Sequence, residues 1–267
     1  MVFKRGQITI FIIIALVIVA GIGSLVYIQS TKKVTENPNV ADVRAFAEPC
    51  LKQTAEDAVL TIGEQGGYYD LPEKSNYFLF FPKPYYIYEK DNLVPGMQIL
   101  ERELGSYIAD NMDACLGDFE VLTQKGYDVK KAGANKVTVK IDGKSNSVSI
   151  TAKIPISVSK ANSTDLVTDF STFVAPIRFE TLLKASNDIA ASETKDPRTI
   201  CITCIQEIAQ NYSLQVTITD TDDRNEFIYT LIDEQSNFTG LPFEYSFAAR
   251  YTFPNCNDVE SCFNALQ

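Results

Sequence analysis

The most constraining feature of the sequence is an uncharged N-terminal stretch. No charged residue occurs between Arg5 and Lys32, and residues 8–28 are predominantly apolar. A helix over residues 8–28 would be roughly 31 Å long at about 1.5 Å per residue, and the hydrocarbon core of a bilayer is about 30 Å thick. The sequence therefore predicts an N-terminal transmembrane helix within residues 7–30.

The charges that flank this stretch predict its orientation. Lys4 and Arg5 precede it, which places the N-terminus in the cytoplasm and the rest of the chain outside, although Lys32 and Lys33 weaken the asymmetry. Two interpretations of the stretch alone remain open. It is an uncleaved single-pass anchor, or it is a secretory signal cleaved after Gly23, although the apolar run continues past that point.

A third interpretation rests on a resemblance. Lys4-Arg5-Gly6-Gln7, followed directly by the apolar stretch, resembles the N-terminus of archaeal type IV pilin-like surface proteins. The resemblance covers residues 4–28 and implies that a prepilin peptidase cuts between Gly6 and Gln7. It implies a basic leader at 1–6, retention of 7–30 as a filament-core helix, and the pilus assembly machinery as a partner. Phe11 stands where many members of that family carry Glu.

Small residues within the apolar stretch would let neighbouring copies of the helix approach closely. Packing at small side chains, rather than the hydrophobic effect, drives helices together in lipid. The candidate packing residues are Ala15, Ala20, Gly21 and Gly23.

Beyond the stretch, the pattern predicts a polar tether at 31–42 and an extracellular α+β head at 43–267. Helical spacing recurs after residue 43, after Pro95 and after residue 178. A hairpin of alternating strands follows the second of these regions, and a meander of alternating strands follows the third. We expect the first of these helices to begin near Glu48 and to end at Gly66-Gly67. Strand alternation over 148–158 with Pro155 on the polar face predicts an edge strand. A division of the head into halves at 43–165 and 166–267 is a further interpretation.

Nine of the aromatic residues fall within positions 68–88. Such a cluster is either core beneath a loop or a contact surface, and we favour core. Tyrosine hydroxyls need water or a partner, so the tyrosine-rich part is the better candidate for a contact between subunits.

Six cysteines lie in the predicted extracellular part, and an even number there predicts disulfides. Two of them occupy the apolar faces of the first two predicted helices, so their pairing would clamp these helices together. The other four leave open local pairing, crossed pairing, a four-thiolate zinc site and a redox-active C-x-x-C pair; we favour disulfides. The six are Cys50, Cys115, Cys201, Cys204, Cys256 and Cys262.

Composition excludes several classes of function. The chain has no histidine, which removes His-based catalysis and imidazole metal sites, and its net charge of −10 disfavours nucleic-acid binding. No catalytic constellation stands out, and neither a Gly-rich phosphate loop nor a G-x-S-x-G motif is present, so we expect no enzyme activity and no cofactor. The acidic run at 220–226 is interpreted as a solvated turn. Three Asn-X-Ser/Thr triplets, which match the acceptor motif for N-glycosylation, begin at Asn162, Asn211 and Asn237.

The sequence thus favours a structural role. We expect a subunit of an archaeal type IV pilus-like filament that polymerises through its N-terminal helix, with copies of itself and the membrane as partners. It would sit in the cell membrane with an extracellular C-terminal domain, or in an extracellular filament after assembly. The alternative is an uncleaved single-pass surface protein that binds an extracellular partner.

Overall fold

The computed structural model describes residues 38–78 and 81–254. These residues form five helices and ten strands, which we number in chain order. The helices are α1 (Pro38–Glu64), α2 (Met97–Leu116), α3 (Glu120–Gln124), α4 (Phe179–Glu193) and α5 (Ile202–Tyr212). The strands are β1 (Ser75–Phe78), β2 (Phe81–Tyr88), β3 (Asp91–Asn92), β4 (Asp128–Lys131), β5 (Lys136–Asp142), β6 (Ser147–Lys160), β7 (Ser163–Val174), β8 (Gln215–Asp220), β9 (Glu226–Asp233) and β10 (Phe243–Arg250).

The N-terminal helix α1 is amphipathic and central to the packing. Its buried positions follow helical spacing, and its charged side chains stay outside the core. It ends where Gly66 and Gly67 adopt positive φ values of 53° and 82°, a conformation that glycine adopts without a Cβ penalty. The buried apolar residues of α1 are Val43, Ala47, Cys50, Leu51, Ala55, Ala58, Val59 and Ile62.

The start of α1 corrects two predictions. The helix begins at Pro38 rather than near Glu48, so residues 38–42 of the predicted tether are helical. Pro49 lies inside the helix, where its missing N–H removes one backbone hydrogen bond. The burial of Val43 and Ala47 in the turns before Pro49 offsets that loss, because α1 packs there against the rest of the core.

A six-stranded sheet joins the two ends of the described chain. Its strand order is β1-β2-β10-β9-β8, with β3 also paired to β2. The pairing of β10 with β2 is parallel, whereas the other pairs are antiparallel. The sheet therefore places the chain segment just after α1 beside the segment that ends at Arg250.

A four-stranded sheet forms the other layer. The long strand β6 pairs with β7 along one edge, and with β5 and then β4 along the other. Helix α1 packs against β7, β6 and β10, and α2 packs against α1 and β5. One main hydrophobic cluster includes residues from both sheets and from both predicted halves, and position 165 falls inside β7.

The expected edge position of β6 is wrong. Strand β6 is central in its sheet, with buried residues alternating along its length. Pro155 is tolerated because it lies where the β6–β7 register shifts, between Lys153 and Ile156. On the other side, β5 pairing stops at Lys153, and the Pro155 carbonyl accepts a hydrogen bond from the N–H of Ala132 instead.

The predicted fold class also needs correction. The described residues are α+β, but none of their helices is both long enough and apolar enough to span a membrane. Helix α1 has sufficient length, about 40 Å for 27 residues, but it carries charged residues throughout its exposed side. The transmembrane helix predicted within residues 7–30 lies outside the described residues.

Candidate functional site

Several predicted site residues lie outside the described part of the chain. These are the processing pair Gly6 and Gln7, the candidate packing residues Ala15, Ala20, Gly21 and Gly23, and the cysteines Cys256 and Cys262.

The first disulfide joins the two N-terminal helices of the head. Cys50 on α1 is bonded to Cys115 on α2, with Cα atoms 5.6 Å apart and 65 residues of sequence separation. This is the pairing expected from the apolar faces of the two helices. A loop of this length restricts the unfolded chain by about 4 kcal/mol in the chain-entropy model. The bond therefore acts as a structural brace.

The second disulfide closes a much shorter loop. Cys201 and Cys204 are bonded across a sequence separation of 3, at the start of α5. On the same chain-entropy model so short a loop contributes only about 2 kcal/mol. Among the residues that the structure describes, no cysteine is free. Both cysteines of this pair are half-buried, and the intervening Ile202 is 49% exposed.

A buried carboxyl group lies beside the second disulfide. Glu193, at the end of α4, is 2% exposed and accepts hydrogen bonds from the backbone N–H of Cys201 at 3.2 and 3.4 Å. The hydroxyl of Tyr251 donates to Oε2 of this carboxyl group at 2.8 Å, and Tyr251 also shares a hydrogen bond with Tyr229. Burial raises the pKa of Glu193, while the bonds from Tyr251 and Cys201 oppose that shift.

The aromatic region at 68–88 divides into two parts. Tyr86 is fully buried and stacks on Phe247 with ring centroids 4.5 Å apart, in agreement with the favoured core interpretation. Near the turn of the β1–β2 hairpin, Tyr77 is 76% and Phe81 48% exposed. The exposed aromatic surface is therefore a hairpin end, which we call the aromatic tip (Tyr77 and Phe81).

An acidic cleft of about 590 Å³ adjoins the aromatic tip. Asn76 and Tyr77 form one wall, and the turn between β8 and β9 forms the other with Asp220, Thr221, Asp222, Asp223 and Glu226. We call it the acidic cleft. The sequence indicated a solvated turn at these positions, and Asp220 and Asp222 are exposed.

Glu226 is the buried anchor of the acidic cleft. Its carboxyl group accepts hydrogen bonds from Tyr85 at 2.6 Å and from Asn76 at 2.5 Å, and it pairs with Arg250. Arg250 also lies 3.5 Å from Asp223. Burial, together with the neighbouring Glu226 carboxylate, raises the pKa of Tyr85. The network fixes β1, β2, β9 and β10 to one another at this end of the sheet.

Within residues 38–78 and 81–254, no group of three or more His, Cys, Asp or Glu side chains is arranged to hold a metal ion. The acidic cleft presents carboxylates and a phenol, and the aromatic tip presents apolar area. The three sequon asparagines, Asn162, Asn211 and Asn237, are all exposed.

Sequence reasoning missed Glu193 and Arg178. Glu193 continues the buried stripe of α4, four residues after Ile189, and an acid at such a position was the available signal. Arg178 directly precedes α4, and no local pattern indicates that its partner is Asp233 on β9.

In comparisons with protein-family models, with curated proteins and with solved structures, no match to the chain was found. The described residues form an α+β fold with two disulfides.

Proposed function

We propose that the chain is a structural subunit of an archaeal type IV pilus-like cell-surface filament. Residues 38–254 would form the outward-facing head, and the uncharged segment at 7–30 would associate with copies of itself in the filament core. The proposal includes processing between Gly6 and Gln7 by a prepilin peptidase. The head would lie outside the cytoplasm, where disulfides persist.

The observation that carries the proposal is the attachment of α1. This helix is the first described element after the apolar segment, and its apolar face is buried against both sheets. The Cys50–Cys115 disulfide also bonds it covalently to α2. A load applied at the N-terminal side of the head would therefore be carried by the whole core rather than by one exposed helix, as a filament subunit requires.

Processing provides the first test. N-terminal sequencing of the native protein should begin at Gln7, and Gly6→Leu should block that cut, whereas Gly6→Ala should retain it. A start at Met1, or after Gly23, would contradict the proposal.

Assembly provides the second test. Gly21→Leu should abolish or disorder filaments because a bulky side chain prevents close approach at this position, whereas Gly21→Ala should preserve them. Electron microscopy of cells measures the filaments, and non-reducing mapping of Cys50–Cys115 verifies that the head remains folded. A protein that stays monomeric in mild detergent, with no filaments on cells, would contradict the proposal.

The aromatic tip favours a second candidate, a surface protein that binds an extracellular partner. Tyr77 and Phe81 expose apolar area beside the carboxylates of the acidic cleft. A partner with basic and apolar side chains would fit this surface. Tyr77→Ser should then abolish binding of cells to that partner while the amount of protein at the cell surface stays unchanged; a loss of filaments in this variant would instead favour a role of the tip in the contact between subunits.

A further inference from the structure

The Cys201–Cys204 pair differs from the brace at Cys50–Cys115 in where it lies. Cys201 occupies the N-cap position of α5, an 11-residue helix, and its Sγ accepts a hydrogen bond from the N–H of Cys204 at 3.3 Å. In the reduced protein this N–H and the positive end of the helix dipole would stabilise a thiolate on Cys201. The position thus favours a reactive sulfur.

The pair is also accessible from solvent. Cys201 and Cys204 are half-buried, and Ile202 and Thr203 between them are exposed. In the other disulfide, Cys50 is 8% exposed and lies within the main hydrophobic cluster, whereas Cys115 is half-buried like Cys201 and Cys204, so the two disulfides differ in access at one sulfur only. An attacking thiolate must reach a sulfur along the S–S axis, so access is a condition for exchange.

The surroundings of Cys201 hold its backbone in place. Glu193 accepts the Cys201 N–H from the core side, and Tyr251 binds the same carboxyl group. The charged side chains on the preceding loop are Lys195, which is exposed, and Asp196 and Arg198, which bond to each other at 2.8 Å. No ion pair joins Glu193 to a cation among the described residues, so its carboxylate, when ionised, opposes a second negative charge at Cys201.

We propose that Cys201 and Cys204 form a thiol–disulfide exchange site whose substrate is a cysteine pair of another protein. This activity goes beyond the proposed filament role and does not depend on it. Cys201 is the sulfur that exchanges with substrate, Cys204 is the sulfur that leaves when substrate attacks, and Glu193 is a positioning residue that acts through the Cys201 N–H.

The exchange is balanced without an additional oxidant. A substrate thiolate attacks Cys201 Sγ, the Cys201–Cys204 bond breaks, and Cys204 leaves as a thiolate that takes a proton from water. The second substrate thiolate then attacks the substrate sulfur of the mixed disulfide, and Cys201 leaves as the thiolate that the helix end stabilises. The substrate gains a disulfide and loses two electrons, and the C-x-x-C pair becomes a dithiol; each protein molecule completes one such exchange.

Equilibration with glutathione tests the difference between the two disulfides. The full-length protein is incubated in glutathione buffers of graded reducing strength, quenched with acid and mapped by mass spectrometry. We expect half-reduction of Cys201–Cys204 at a glutathione ratio at least tenfold less reducing than that for Cys50–Cys115. Half-reduction of both pairs at the same ratio would overturn the proposal.

Trapping identifies the exchanging sulfur. Oxidised glutathione serves as the trapping probe: in Cys204→Ser the free Cys201 thiolate attacks it, one glutathione leaves as a thiolate, and a mixed disulfide between Cys201 and glutathione should accumulate. Cys201→Ser should give at least tenfold less adduct on Cys204. The oxidised wild-type protein, incubated with a reduced peptide that carries two cysteines, should yield one equivalent of oxidised peptide. Equal adducts on both variants, or no oxidised peptide, would overturn the assignment.

The role of Glu193 is tested by the pH profile for alkylation of Cys201, a measurement that a change in stability alone would not shift. Glu193→Gln keeps an oxygen that accepts the Cys201 N–H but removes the charge, so the pH profile for alkylation of reduced Cys201 should shift to lower pH, with a several-fold faster rate at pH 7. Glu207→Gln, on the exposed side of α5, is the matched control and should leave the profile unchanged. A changed unfolding midpoint without a shifted profile would reduce Glu193 to a structural role and overturn this part of the proposal.

Discussion

Arg178 and Asp233 form a bidentate ion pair inside the head. Arg178 Nη2 lies 2.6 Å from Asp233 Oδ1, and Arg178 Nε lies 2.9 Å from Asp233 Oδ2. The Asp233 side chain is fully buried, and Ser236 also donates to it at 2.6 Å. Arg178 further donates to the carbonyl groups of Tyr212 and Ser213, each at 3.3 Å. One guanidinium group thus fixes the start of α4 to the ends of α5 and β9.

We predict that Arg178→Met lowers the free energy of unfolding by about 3–5 kcal/mol, because it leaves the Asp233 carboxylate buried without its cation. Urea unfolding followed by circular dichroism measures the loss. Lys130→Met, which breaks the exposed pair with Asp128, is the control and should change stability by less than about 1 kcal/mol. Equal losses in the two variants would contradict a stabilising role for the buried pair.

The two disulfides should contribute unequally to stability. Cys50→Ala with Cys115→Ala should lower the free energy of unfolding by about 4 kcal/mol, since it opens a loop with a sequence separation of 65 residues. Cys201→Ala with Cys204→Ala should lower it by about 2 kcal/mol or less. Both double variants are measured by urea unfolding without reductant. A larger loss from the second pair would show that the loop-closure argument fails for this fold.

Two glycines with nearly the same positive φ allow the stability cost of backbone strain to be distinguished from the cost of a steric clash. Gly67 has φ of +82°, and a Cβ there would meet the Tyr245 hydroxyl at 2.7 Å, whereas Gly126 has φ of +83° and nothing within 4 Å. Both alanine variants should lose about 1–2 kcal/mol from backbone strain. Gly67→Ala should lose about 1–3 kcal/mol more, because Tyr245 is buried and bonded to Tyr86. Thermal unfolding of both variants measures the difference, and equal losses would refute it.

The head should lose stability in alkali from about pH 10 upward. Burial raises the pKa values of Tyr86, Tyr229, Tyr245 and Tyr251 above those of the unfolded chain. Their contribution is therefore complete below about pH 10 and falls as the pH rises toward the folded-state pKa values, by about 1.4 kcal/mol per pH unit for each tyrosine. Burial lowers the pKa of Lys83, so this single group makes the free energy of unfolding rise with pH and opposes the loss from the tyrosines.

Urea unfolding at pH 9, 10 and 11, with tyrosinate absorbance recorded at each pH, measures this loss. Tyr229→Phe removes one of the four groups and should reduce the slope by about 1.4 kcal/mol per pH unit. Tyr77→Phe changes an exposed side chain and is the matched control for the substitution. A free energy of unfolding that is constant between pH 10 and 11 would contradict the prediction.

Local sequence patterns predict those elements in which buried residues recur at a single regular spacing, either that of a helix or that of a strand. Leu100, Leu104 and Ile108 lie one turn apart on α2, and all three are buried. The alternation along β6 likewise predicts its buried face. Strand β7 was not predicted, because its burial pattern is irregular, with Leu166 and Phe173 exposed on one side and α1 covering the other.

The candidate sites likewise divide into those that a local pattern indicates and those that depend on contacts between distant parts of the sequence. Cys50 and Cys115 could be paired from sequence because each lies on an apolar helix face that must meet the core. The environment of Cys201 could not be predicted, since Glu193 and Tyr251 are separated by 58 residues and belong to different elements. The acidic cleft depends in the same way on Asn76 reaching Glu226 across 150 residues of sequence. Local periodicity carries no information about such long-range pairs.

The parallel pairing of β2 with β10 has a consequence for biosynthesis. Tyr85 is aligned with Ala248, so strand β2 leaves the ribosome long before its neighbour is made. Until then, the edge of β2 that carries Tyr86 and Ile87 has no strand beside it, and such an edge invites pairing with other chains. The head therefore closes only when almost all of it has been synthesised. A premature stop anywhere before β10 would leave this edge open and yield an aggregating fragment rather than a smaller folded domain.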